Sequence, residues 1–239
     1  MQKKRWETAQ NYEKAWWESR THLVEFDFYR AYANELLQQT RTIFTITPGT
    51  SILEIGSGAG GIITYLNSND RWAIDPLEDF YATVPEFCEQ RDQKVTYQTA
   101  RAEDLPFADQ RFDFIICDNV LDHCDDIQKV FSEMSRVLRN PGYVYLRLNL
   151  YTSWGKIVRV FVEKMKIDPG HPHTFTNKSI RTIIKSASFE ITTFQSAGFF
   201  RNWMKEITSG KIKEIVKALT LSTPNKTTFV LKSRSPHTN

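Results

Sequence analysis

Three cysteines, Cys88, Cys117 and Cys124, are all that the 239 residues hold. That is too few for the disulfide framework of a small secreted domain, so reduced thiols and a cytoplasmic setting are expected. No apolar run approaches the ~18–20 residues that a membrane span needs. The opening MQKKRWETAQNYEKAWW carries positive charge without an apolar stretch behind it, so no secretory leader is expected. Internal repeats and low-complexity tracts are absent, which excludes repeat architectures. There is no Gly-x-Ser-x-Gly elbow, which disfavours a serine hydrolase of that type. The cluster His123-Cys124-Asp125-Asp126 is made of neighbours that splay apart, and no second cluster has ligand spacing. No metal is expected.

What is present suits one large domain, or one domain with a cap. Hydrophobic residues make up 41% and charged residues 25%, the composition of a soluble globular chain. The net charge of +3 hides a split. Residues 1–139 hold 15 Lys and Arg against 23 Asp and Glu, a net −8. Residues 140–239 hold 16 against 5, a net +11. Such a split marks either a partner-facing basic region or solvated helix faces rich in lysine.

The first ~45 residues have helical apolar spacing, with a break near residues 19–21 and a stop at Pro48-Gly49. From residue 51 the rhythm becomes strand, turn, helix. Strands are predicted at 51–55, 71–74, 95–99, 112–117 and 143–149, and a helix opening at 61–66. A helix over 127–138 is predicted to end at Asn140-Pro141-Gly142. Further helices are expected at 154–166, 177–187 (capped by Thr176) and 211–219, with β-rich runs at 189–195 and 227–232. The predicted class is α/β: a Rossmann-like, doubly wound, mostly parallel seven-stranded sheet with helices on both faces. A helical cap is expected over residues 1–47. Residues 48–239 are expected to form the main domain, with insertions at about 151–176 and 196–226.

The sharpest motif is LEIGSGAGG, residues 53–61, where a strand runs into glycines and a helix leaves. Glycines let backbone approach a ligand closely, and a helix N-terminus offers free N–H groups. Gly56-x-Gly58-x-x-Gly61 also satisfies the dinucleotide pattern, with Asp75 near the expected offset for a ribose-binding acid. Glu54 points the other way. A buried carboxylate at that strand end repels pyrophosphate but suits a cationic amino-acid end.

The dinucleotide fingerprint does not call for the block AEDLPF-x-D, residues 102–109, or for FDFIICDNVLDH, residues 112–123. With LEIGSGAGG, Asp75 and SRVLRNPGY, residues 135–143, they resemble the class I S-adenosylmethionine-dependent methyltransferases, in particular the small "type 11" group. The resemblance covers residues 50–150 well, and the rest loosely through HPHTFT and the helix after it. It implies that Glu54 lies under the methionine end of S-adenosylmethionine, with Gly56, Ser57, Gly58 and Gly60 wrapping it. It implies Asp75 on both ribose hydroxyls and Pro76 and Leu77 near the adenine. Ala102 and Glu103 would approach the adenine edge, and the turn Cys117, Asp118, Asn119 would face the ammonium. Two positions depart from the pattern. Arg101 stands where many relatives carry an acid, and Gly142-Tyr143 replaces a common Gly-Gly.

Methyl transfer to a hydroxyl needs alignment, exclusion of water and removal of a proton. His123, His171 and His173 are the candidate bases. Against that role, His123 could serve as a cap or packing residue, and His171 and His173 as parts of a turn. The acceptor expected is a small or lipid-linked molecule, anionic to suit the basic half, and not nucleic acid. Basic amphipathic stretches at 154–166 and 211–219 either pack on the domain or lie on an anionic membrane. The competing functions are an NAD(P)-dependent oxidoreductase and a catalytically silent S-adenosylmethionine-binding protein.

Overall fold

Strands of a parallel sheet covered on both faces read as unbroken apolar runs, and SILEI is buried at every position. In the computed structural model, which describes residues 2–22, 25–164 and 173–234, this segment is β1 (Ser51–Ile55). It lies inside a seven-stranded sheet with β2 (Asp70–Asp75), β3 (Val95–Thr99), β4 (Phe112–Asp118), β5 (Leu138–Leu150), β6 (Phe189–Ser196) and β7 (Asn225–Ser233). The order is β3-β2-β1-β4-β5-β7-β6. The first five strands pair in parallel, and β7 runs antiparallel to both β5 and β6. The five parallel strands and β6 therefore all end at one edge, which is where β7 begins.

Nine α-helices are assigned among the described residues: α1 (Gln2–Glu18), α2 (Asp27–Thr40), α3 (Glu78–Tyr81), α4 (Pro85–Cys88), α5 (Ile127–Val137), α6 (Ser153–Lys164), α7 (Asn177–Ser186), α8 (Phe199–Ile207) and α9 (Ile212–Leu219). One sheet face is covered by α5 and α7, whose Val130, Phe131, Met134, Ile180 and Ile184 join a cluster with Ile115, Leu146 and Phe229. The opposite face is covered by α2, with Tyr29, Ala33 and Leu36 sharing a cluster with Ile52, Phe114 and Tyr145. Helix α7 starts as predicted from Thr176, in a capping box with Ser179, an arrangement of about 1 kcal/mol.

Three local expectations change. The helix expected from residue 61 is one 3-10 turn, Ile62–Tyr65, because Ser68 and Asn69 fold back onto Thr50 and Pro48 to start β2. Helix α2 fills the space above that turn, in one cluster with Ile62, Ile63 and Leu66. The segment Asn140-Pro141-Gly142 does not separate helix from strand: α5 stops at Val137, and Leu138 already pairs with Phe112. Finally, the insertion between β6 and β7 contains α8 as well as the basic helix α9.

Candidate functional site

The glycine loop is held by its carbonyls. Tyr29 of α2 donates from its hydroxyl to Ser57 O at 3.0 Å. Arg91 Nε donates to Ala59 O at 2.7 Å, and Tyr97 donates to Gly60 O at 2.8 Å. Arg91 is itself gripped in bidentate fashion by Glu78, at 2.7 and 2.8 Å. Two glycines are required by what surrounds them. At Gly58, φ is +59°, and an added Cβ would sit 2.7 Å from the Tyr29 hydroxyl. At Gly60 an added Cβ would lie 2.0 Å from Phe26 Cε2, inside a packed ring.

Two buried carboxylates brace the loop. Asp75, at the end of β2, accepts from Gly58 N at 3.0 Å and from Leu77 N at 2.9 Å. Glu54 accepts from Ile62 N at 3.0 Å and Ile63 N at 2.7 Å, the free donors of the 3-10 turn. Burial dominates both titrations, against the opposing pull of these N–H groups: Asp75 is pushed up to about 6 and Glu54 to about 8. An acid whose folded pKa lies above its unfolded value holds its contribution at low pH. It loses that contribution as pH rises, here from 3.8 to about 6 for Asp75 and from 4.5 to about 8 for Glu54. A ligand that donates to Asp75, or brings positive charge to Glu54, favours the ionised forms. Binding such a ligand at pH 7 should release protons, mainly from Glu54, and affinity should fall as pH drops below about 8 and more steeply below about 6. Calorimetry in buffers of different ionisation enthalpy reads the proton release; its absence at pH 7 would remove Glu54 from the binding event, and its absence at about pH 5.5 would remove Asp75.

These residues floor a cavity of about 660 Å3, within the range of small-molecule sites. Of the residues singled out in the sequence, Glu54, Gly56, Ser57, Gly58, Asp75, Pro76, Ala102, Glu103, Asp118, Asn119 and His123 line it. Gly60, Leu77 and Cys117 do not. Gly60 faces Phe26, Leu77 packs in the α2-side cluster and contributes its N–H to Asp75, and Cys117 is buried in the opposite cluster. Glu103 reaches across to the segment after β4, accepting from Asp125 N at 2.7 Å. Arg101, in the place of the expected acid, lies 3.4 Å from Glu103 and stacks over Trp6 at 4.3 Å. His173 is outside the cavity wall; its N–H reaches Asp122 O and its ring stacks on Phe175. His171 lies outside the described residues.

The outer wall holds residues that the motifs did not indicate. Arg147 of β5 is 1% exposed and lies beside Asp118 of β4, its Nε 2.6 Å from Asp118 Oδ1, with a second bond from Nη2 to Asp118 Oδ2. Its Nη1 reaches Glu35 of α2 at 2.9 Å. The guanidinium stacks on Tyr32 at 3.9 Å, and Lys226 Nζ lies 4.3 Å from the same ring. Lys226 has no ion-pair partner among the described residues. Helix α1 closes the cavity with Trp6, Gln10, Glu13, Trp16 and Trp17. Arg147 has a signal in the sequence, a lone arginine inside the apolar run YVYLRLNL. Tyr32 belongs to the run of aromatics in the first helices, some of which are expected to line an acceptor pocket; Lys226 has no signal, because only the β5–β7 pairing and the seat of α2 bring it to Tyr32.

A parallel sheet with a glycine loop after its first strand, an acid from the second reaching that loop and a cavity at the carboxyl edge defines a nucleotide-type cofactor-binding α/β fold. A family model described as "Methyltransferase domain" matches residues 53–146. Among similar proteins, the methyltransferase YcgJ of Bacillus subtilis is 28% identical over 125 residues, 50% of this chain and 49% of that protein. A ubiquinone biosynthesis O-methyltransferase of Methylococcus capsulatus is 30% identical over 118 residues, 47% of this chain and 48% of that protein. Geranyl diphosphate C-methyltransferase from Streptomyces coelicolor has the same fold, with a TM-score of 0.66 at 15% identity, over 91% of this chain and 84% of that one. The chain spans about half the length of these curated relatives. Residues 53–146 thus match a methyltransferase domain, within a fold shared by methyltransferases solved with S-adenosylmethionine or S-adenosylhomocysteine.

Proposed function

We propose that the protein transfers the methyl group of S-adenosylmethionine to a small-molecule acceptor that bears negative charge, at a hydroxyl oxygen. The observation that carries the cofactor assignment is the engagement of Glu54 with Ile62 N and Ile63 N. Those N–H groups are the donors a pyrophosphate needs at the start of the crossover helix, and here a carboxylate already occupies them on a single 3-10 turn. This disfavours the dinucleotide oxidoreductase. The acceptor set suits the cationic cofactor instead, because Glu13, Glu54, Asp75, Glu103 and Asp118 place five carboxyl groups on the cavity wall.

In this reading Asp75 holds the ribose hydroxyls, the loop at Gly56–Gly58 and Glu54 face the amino-acid end, and Pro76, Ala102 and Glu103 lie on the adenine side. When bound, S-adenosylmethionine supplies a methyl carbon already activated by its sulfonium. The chain's own residues position the acceptor, exclude water and accept a proton. His123, in the turn after β4 and on the cavity wall, is the base of this proposal. Lys226 receives the acceptor's anionic group. The relatives and neighbours include a ubiquinone biosynthesis O-methyltransferase and a geranyl diphosphate C-methyltransferase, so both oxygen and carbon methylation occur among them and the hydroxyl rests on the histidine alone.

Calorimetry with S-adenosylmethionine tests the cofactor, and NADH titration followed by fluorescence tests the rival. Binding of NADH but not S-adenosylmethionine would reverse the assignment. Once an acceptor is found by methylation of a metabolite extract, His123→Gln is expected to lower kcat by about 10²–10⁴ with cofactor affinity unchanged. An unaltered kcat removes the base. Cofactor binding with no S-adenosylhomocysteine from any acceptor pool would indicate the catalytically silent alternative.

A further inference from the structure

A helix on the surface of a globular domain ordinarily turns its apolar stripe inward and its charges to water. Helices α6, α8 and α9 do otherwise. On α6, Trp154, Ile157 and Phe161 recur at helical spacing, and all three are exposed, Phe161 at 65%. On α9, Ile212, Val216 and Leu219 form an outward stripe, with Ile212 at 81% and Leu219 at 69%. On α8, Phe200 and Met204 are likewise exposed, Phe200 at 70%. Apart from these segments, the exposed large apolar side chains among the described residues are Tyr12, Trp16, Phe28, Leu37, Phe194 and Leu221, each less than half exposed, and the first three line the cavity.

The three helices are one structural unit. The indole of Trp203 on α8 donates to Ala218 O of α9 at 2.9 Å, and that of Trp154 on α6 donates to Thr220 O at 3.0 Å. The unit hangs from the carboxyl edge of the sheet, since α6 follows β5 while α8 and α9 join β6 to β7. That is the edge where the cavity opens; Asn149, one residue before the end of β5, and Lys226, one after the start of β7, both line it. Charge supplies the partner's sign. Residues 153–164 and 199–221 together hold eight Lys and Arg against three Glu. Lys156, Arg201, Lys205 and Lys213 are exposed next to the apolar stripes.

We propose that the outward face of α6, α8 and α9 docks on an anionic lipid surface. Exposed aromatic and aliphatic side chains enter the boundary between headgroups and acyl chains, and the flanking lysines and arginines meet the lipid phosphates. No helix among the described residues is long and apolar enough to cross the bilayer, so the contact is made along its surface. The face adjoins the cavity mouth, so a docked molecule opens its acceptor site toward the lipid.

Flotation with vesicles reads the contact directly, with no need of cofactor or turnover, so its outcome is independent of the proposed reaction. The full chain should float with vesicles of phosphatidylglycerol and phosphatidylcholine at low salt, and less with phosphatidylcholine alone. The double substitution Ile212→Glu and Leu219→Glu, at two exposed positions, should weaken binding about tenfold or more. Circular dichroism of the variant checks that it is folded. A second variant, Lys211→Glu with Lys213→Glu, should shift binding in the same direction and reduce its salt dependence. No flotation with the anionic vesicles, or flotation unaffected by either variant, would overturn the proposal. So would light scattering that shows a dimer dissociated by the apolar substitutions, which would assign the face to a second copy of the chain.

Discussion

Asp75→Ala is expected to weaken binding of S-adenosylmethionine by about 100-fold or more, since hydrogen bonds to a charged group contribute about 1.5–3 kcal/mol each and two ribose hydroxyls lose their acceptor. The same change orphans Gly58 N and Leu77 N, which the carboxylate now accepts. A loss of about 1–3 kcal/mol in stability should therefore accompany it. Asp75→Asn separates the two effects. The amide keeps an acceptor oxygen and much of the shape but lacks the charge and cannot accept on both sides, so its binding defect should exceed its stability defect. Calorimetry and urea unfolding on the same preparations measure both. Affinity in Asp75→Ala within a factor of about three of the parent would exclude Asp75 from the cofactor site, since even one lost neutral hydrogen bond costs about 0.5–1.5 kcal/mol.

The largest stability effect is expected at Arg147. Removing one partner of a buried ion pair leaves the other charged and desolvated, at a cost of about 3–5 kcal/mol. Arg147→Ala strands Asp118 between β4 and β5 and takes the cation from Glu35 and the stack from Tyr32. For a chain of this size the midpoint of thermal unfolding should fall by about 6–20 °C. Arg147→Met with Asp118→Leu, which removes both charges and keeps volume, should recover most of the loss. A single Arg147→Ala that unfolds like the parent would show that the pair contributes no net stability.

The pair also marks where sequence reasoning stops. Strands β1 and β4 announce themselves because burial on both faces demands continuous apolar runs, and the glycine loop and Asp75 follow from local geometry in one βαβ unit. The crossover after the loop misleads: the residues 61–66 look helical by composition, but only three residues remain before β2, which leaves room for one turn. The end of the cavity proposed for the cofactor is legible for the same reason that the loop is, as its residues belong to consecutive strand ends. The end proposed for the acceptor is not. Arg147, Glu35, Tyr32 and Lys226 come from β5, α2 and β7, and no spacing in the chain records the antiparallel return of β7 that places Lys226 opposite Asn149. Nor does an apolar period say which way a stripe faces. The stripes of α6 and α9 look like core from their spacing, and only the fold shows them turned outward.

The seat of α1 and α2 on the loop bears on what encloses the site. Trp17, buried at the loop, approaches Gly58, and its indole donates to Glu13 at 3.0 Å. A ligand lodged on Gly56–Gly58 lies behind this wall of aromatic rings. The first helix thus bounds the site on one side through Trp6, Trp16 and Trp17, far in sequence from the loop and from Asp75.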